Sequence, residues 1–132
     1  MTAIPVQWDR VEAILLPLLR AEFPDFTIRN VKPKQPAPFG CVVIRADLQQ
    51  HSTPLTRYCR IGVSSFAVRE SGEPDIAAAH DNAADVAAFI TTLPGQAVKP
   101  FLVAEIESGP TRMADDAGEY AYVNVLTQIH AA

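Results

Sequence analysis

Residues 119–130 read EYAYVNVLTQIH, and the run alternates without a break. Ala121, Val123, Val125, Thr127 and Ile129 fall on one side, Tyr120, Tyr122, Asn124, Leu126 and Gln128 on the other. A period of two belongs to a β-strand. The first side is a core face. The second, with two tyrosines, a leucine and two amides, is neither core nor an ordinary solvated face. It reads as a surface half-wet in the single chain and covered in an assembly. Upstream, residues 99–108 (KPFLVAEIES) form a second strand-like run, and the polar stretch 109–118, bounded by Gly109 and Gly118, reads as the loop joining the two.

The rest of the chain organises around that pair. Trp8, Val11, Leu15, Leu18 and Leu19 recur at helical spacing behind Asp9 and Glu12, which have the form of a capping box, so residues 10–22 are expected to be helical. Pro17 lies inside this stretch. A proline there removes a backbone hydrogen bond at a cost of about 3 kcal/mol, and should kink or shorten the helix. A short strand is expected around Phe26 and Ile28, then a loop over residues 32–39, where Pro33, Pro36 and Pro38 prevent ladder pairing. Residues 40–46 and 57–67 read as two further strands, joined by the polar connection 47–56 as a long-looped hairpin. Residues 75–93 form a second helix, with Ile76, Ala79, His80, Ala83, Ala87 and Ile90 as its inner stripe, ended by Pro94 and Gly95.

The order α-β-β-β-α-β-β predicts an α+β fold: a mainly antiparallel sheet of about five strands with two helices packed on one face. The expected core contains Val11, Leu15, Leu18, Leu19, Phe26, Ile28, Ile61 and Val63 from the first half. From the second half it contains Ile76, Ala83, Ile90, Leu102, Ile106, Val123 and Val125. The uncovered face would carry Tyr58, Arg60, Phe66, Phe101, Val103, Glu105, Glu107, Tyr120, Tyr122 and Leu126.

The chain has 132 residues, 48% of them hydrophobic, which is the size of one domain (1–132) able to bury a core without staples. A net charge of −4 and a pI near 5.2 argue against a protein whose task is to grip nucleic acid. No secretory leader is read in residues 1–10, and the longest apolar run, residues 13–19, is too short to span a bilayer, so a soluble cytoplasmic protein is expected. Cys41 and Cys59 fall on opposite sheet faces if Val42, Ile44, Ile61 and Val63 face the core; both are expected to be free thiols.

The sequence contains no GxSxG elbow, no HExxH or CxxC spacing and no glycine-rich phosphate cradle, so no catalytic, cofactor-binding or metal-binding residue is assigned. His80 reads as a helix histidine bonded at the sheet edge. Glu105 and Glu107, two apart on one strand, would sit roughly 6 to 7 Å apart on one face, which is more often a solvated pair than an acid/base pair. Asp115 and Asp116 lack the spacing of a calcium loop. Arg29, Lys32, Lys34, Arg45, Arg57 and Arg60 collect in the middle of the chain as a modest basic patch, better suited to an acidic protein neighbour than to nucleic acid.

In its element order the chain resembles the tail terminator proteins of long-tailed bacteriophages. The details that carry the likeness are the opening amphipathic helix from Trp8 to Leu19 before Phe23-Pro24, the strand from Arg57 to Phe66 and the alanine-rich helix over residues 75–93. The final strand pair adds to it, with Ser108-Gly109-Pro110, Asp115-Asp116 and Tyr120-Tyr122-Val123-Val125. The resemblance covers most of the chain; the proline-rich stretch 32–39 has no counterpart in it.

The resemblance implies a non-enzymatic virion protein without cofactors, at the head-proximal end of the tail and in the host cytoplasm during assembly. It would form a homo-oligomeric ring, usually a hexamer, that caps the tail tube of major tail protein and joins it to the head connector or stopper protein. DNA would only pass through the channel, which an acidic lining would not retard, and no membrane would be involved. Subunit contacts are expected at Tyr58, Arg60, Phe66, Tyr120, Tyr122 and Leu126. Contacts to the lumen or a neighbouring ring are expected at Glu105, Glu107, Arg112, Asp115 and Asp116. Two other readings are another head-tail joining or tail tube protein, and a ligand-binding or enzymatic domain with its pocket near His80.

Overall fold

The alternation of residues 119–130 is realised in a strand whose odd-numbered side chains are buried from Ala121 to Ile129. The computed structural model describes residues 6–32, 34, 40–116 and 118–132. Its elements are α1 (Val11–Glu22), β1 (Thr27–Arg29), β2 (Cys41–Thr53), β3 (Thr56–Phe66), α2 (Ile76–Thr92), β4 (Phe101–Asp115) and β5 (Gly118–His130). The five strands form one mixed sheet in the order β1-β2-β3-β5-β4, with β1 parallel to β2 and every other pair antiparallel. This is the expected α+β fold with the expected element order.

One face of the sheet is the core side. Across β2 and β3 the pairs Val42 with Ser65, Ile44 with Val63 and Ala46 with Ile61 point inward, and Val123 and Val125 continue the row on β5. The buried side chains of α1 and α2 join these residues in a single cluster, with α1 against β1 and β2, and α2 against β3, β5 and β4. Each fully buried Val, Leu or Ile contributes about 1.5–3 kcal/mol. The inner stripe of α2 is Ala79, Ala83, Val86, Ala87 and Ile90. Three alanines let its axis come close to the sheet. Asp75 caps it, its carboxylate accepting from the backbone N–H of Ala78 at 3.1 Å.

Several expectations are corrected. The connection 47–56 is not a loop: β2 runs to Thr53 and β3 begins at Thr56, so only Pro54 and Leu55 turn the hairpin. Its residues are polar because this end of the hairpin lies beyond the helices. The register shift between Leu48 and His51 and hydroxyl contacts of Ser52 and Thr53 with Thr56, at 2.6 and 2.7 Å, adapt the ladder to the turn. Likewise the loop expected over 109–118 is mostly strand. β4 is the sheet edge, where an extra residue and a proline without N–H are tolerated, and three register shifts absorb Leu102, Glu107 and Gly109-Pro110. Gly109 sits at φ 94° against the carbonyl oxygen of Tyr122, so a side chain has no room there.

Two core assignments on β4 are not met. Phe101 is buried opposite Ile129, whereas Leu102 and Ile106 are exposed on the edge strand. His80 is exposed, and Val86 takes its place on the inner stripe of α2. The capping box does not form: Arg10 occupies the N-cap position with no side-chain bond, and the Glu12 carboxylate instead accepts from the Ala46 N–H at 3.0 Å, tying α1 to β2. Helix α1 continues through Pro17 without interruption. Pro33, Pro36 and Pro38 of the expected proline loop lie outside the described residues.

Candidate functional site

The face opposite the core carries a cleft of about 280 Å³ lined by no helix residue. Its floor is set by a glycine. Gly62 interrupts an otherwise side-chain-rich strand, and the ring of Tyr122, reaching diagonally across from β5, lies over it. A Cβ at position 62 would come within 2.8 Å of the Tyr122 hydroxyl. That hydroxyl donates to Asn124 Oδ1 at 2.8 Å, which holds the ring down. Phe66 and Tyr120 stack beside it with centroids 4.8 Å apart and planes at 27°.

Charges in matched pairs rim this aromatic floor. Arg60 donates two hydrogen bonds to Glu107, from Nε and Nη2, each 2.9 Å long. Those bonds hold the guanidinium above its ordinary pKa. Arg45 Nε lies 3.6 Å from Asp47 Oδ1. Lys32, beyond β1, reaches Asp115, near the tip of the β4–β5 hairpin, so residues that follow the two opposite edges of the sheet meet across the cleft. Within the β4–β5 hairpin Arg112 pairs with Glu119.

Of the expected contact residues, Tyr58, Arg60, Tyr120, Tyr122 and Leu126 lie half-buried on this face. Phe66 is only 2% exposed, its surface taken up by Tyr120 and the sheet. Glu105, Glu107, Arg112, Asp115 and Asp116 are all exposed along β4 and its turn. Glu105 borders a shallow depression with Gln49, Gln50, Tyr58, Arg60 and Leu126. The bulge after Ile106 brings Glu107 to Arg60, so the two glutamates have different neighbours. The basic patch splits between faces. Arg57 sits on the helix side, its guanidinium 5.3 Å from the Trp8 ring and its Nε bonded to the Gln49 carbonyl, whereas Arg45 and Arg60 face the cleft.

Among the histidines, His51 meets Trp8 edge-on at 5.5 Å, and the Nδ1 of His130 lies 2.7 Å from the carbonyl of Ala131. The cleft lies across the sheet from His80 and α2, where a ligand pocket was considered. Cys41 and Cys59 are both free and buried, on opposite faces as their parity required. Burial pushes the Cys59 thiol up to about 11, partly offset by Thr127, and raises Cys41 as well. Among the described residues, no three His, Cys, Asp or Glu side chains gather as metal ligands.

Sequence reading missed two features. Lys32, Arg45 and Asp47 were not seen as walls of the cleft, although Gly62 in the run IGVSSF signalled that something lies close over β3. Nor was the exposure of Leu102, Ile106 and Met113 on the edge strand foreseen: with Val103, which was expected on the uncovered face, they are 42–49% exposed. No helix among the described residues is long and apolar enough to cross a membrane. No protein-family model matches this sequence, and comparison with curated proteins finds no significant match.

Proposed function

We propose that this chain is a structural assembly protein that closes into a ring on the end of a phage tail tube, stops the tube's growth and forms its joint to the head. The observation that carries the reading is the edge strand β4. It is fifteen residues long, and four of its large apolar side chains remain in solvent. A soluble chain keeps such an edge when another chain covers it. The cleft face supports the same reading. Its charges stand in opposite-sign pairs around aromatic rings, an arrangement suited to adhesion rather than to an activated base or nucleophile. In this reading Glu105, Glu107, Arg112, Asp115 and Asp116 lie toward the channel or the adjoining ring, and the virion tail is where the protein works.

The test is tube growth. Tail tubes polymerising from major tail protein are imaged with and without the purified chain. Blunt tubes of arrested length, each with added density at one end, are expected. Tubes that elongate as if the chain were absent would refute the terminator role, and long stacks of the chain itself would favour a tail tube relative.

A further inference from the structure

The cleft is one end of a longer groove. The shallow depression around Tyr58 and Glu105, of about 530 Å³, lies on the same sheet face and shares Arg60 with the cleft. Along β3, Tyr58 marks one end of this groove and Ser64, opposite Tyr122, the other. At the rise of a strand those two positions lie about 20 Å apart. The bed of the groove is the middle of the sheet. Strand β3 is paired by β2 on one side and β5 on the other, so no backbone edge is open to a further strand there. Recognition is left to side chains, and their hydrogen-bonding capacity is lopsided. Both Glu107 oxygens accept from Arg60, Asp115 faces Lys32, and Asn124 Oδ1 accepts from Tyr122. Donors remain. The hydroxyls of Tyr58, Ser64 and Tyr120 make no hydrogen bond among the described residues, and Arg45 is held only by its Nε, 3.6 Å from Asp47. Charge differs along the groove as well: Lys32 and Arg45 stand at the cleft end, and Glu105, exposed and with no ion-pair partner among the described residues, stands at the Tyr58 end.

We infer that this groove binds a proline-rich segment of another protein in the polyproline II conformation, its prolines on the tyrosine rings and a basic residue beside Glu105. Proline contributes a carbonyl and no N–H, so such a segment offers acceptors to a groove with donors to spare and brings no donor that needs a partner. Its rings pack against aromatic faces, and its conformation is formed before binding, so little freedom is lost on docking. At about 3.1 Å per residue, about six residues span the distance from Tyr58 to Tyr122. An oligosaccharide also stacks on tyrosines, but every sugar hydroxyl brings a donor, and the acceptors that would receive it already serve the protein's own groups. The inference goes beyond the terminator reading and does not depend on it: it names what the aromatic face holds, whether or not the chain closes into a ring.

The experiment titrates the full chain into a fluorescently labelled oligoproline peptide that carries one arginine at an end, and follows anisotropy. Saturable binding is expected, and a glycine-serine peptide of the same length and charge should not bind. The variant Y58F/Y120F removes two hydroxyl donors and keeps both rings; it should weaken binding about tenfold or more. E105K should weaken the arginine-bearing peptide at least about threefold and leave an arginine-free oligoproline unaffected. Because Glu105 is exposed, this second variant keeps the inference open to refutation if the first does not fold. The inference is overturned if wild type does not bind the proline peptide, if it binds the glycine-serine peptide as tightly, or if Y58F/Y120F, folded, binds as wild type does. Binding of a neutral oligosaccharide such as cellohexaose in place of the peptide would overturn it in favour of a sugar. The terminator reading fails separately: a chain that binds the peptide and ignores tail tubes would refute that reading and leave the peptide groove standing.

Discussion

At the scale of single residues, the cleft depends on one missing side chain. Gly62 gives the Tyr122 ring its seat, so Gly62→Val must lift the ring and break its bond to Asn124. A loss of about 1–3 kcal/mol is expected by denaturant unfolding. The loss should shrink when Tyr122 is already alanine, because the clash then has no partner. Equal losses in both backgrounds would show that the ring is not what the glycine accommodates. Cys59 makes a different kind of prediction. Its folded pKa of about 11 lies above the ordinary thiol value of 9.0, so its contribution to stability is complete below pH 9 and is lost as pH rises toward 11. Unfolding free energies measured from pH 8 to 11 should fall more steeply in wild type than in Cys59→Ala. Parallel curves would mean the thiol is not shielded.

At the scale of elements, helix α1 offers the plainest test of local physics. Pro17 leaves the carbonyl of Ala13 without its helical donor, yet α1 persists because Val11, Leu15 and Leu19 bury one face in the core. Pro17→Ala restores the donor and should raise stability by about 1–3 kcal/mol, read as a higher denaturation midpoint. An unchanged or lower midpoint would mean that the proline itself packs productively. The element order and the inward row of β5 were legible in the sequence, because a strict period of two over ten residues has one structural solution. The two hairpin ends were not. Polar residues 47–53 and the Gly109-Pro110 step resemble loops when alternation is sought, but a strand beyond the helices needs no apolar face, and an edge strand tolerates bulges. Those bulges also shift parity along β4. That is why Phe101 turns inward and Leu102 does not, a reversal that no fixed period could reveal; Ile106 keeps the register of inward Val125 and is exposed because it lies on the sheet edge. Of the candidate site, the half-buried tyrosines were readable from β5. The cleft walls were not, because Lys32 and Asp115 meet only when the hairpin tip and the chain after β1 close over the sheet.

At the scale of the whole molecule, the chain has one covered face, one aromatic face rimmed by paired charges, and an edge strand with apolar side chains in solvent. The covered face accounts for its folding; the rest is surface suited to neighbours. In the proposed assembly these neighbours include copies of the same chain arranged in a closed ring. The most direct test is the mass of the purified protein by light scattering across a concentration series, alone and with tail tubes present, with imaging of any large species. A discrete ring of about six copies, formed freely or on the tube end, is expected. A monomer at every concentration that also leaves tail tubes bare would contradict it.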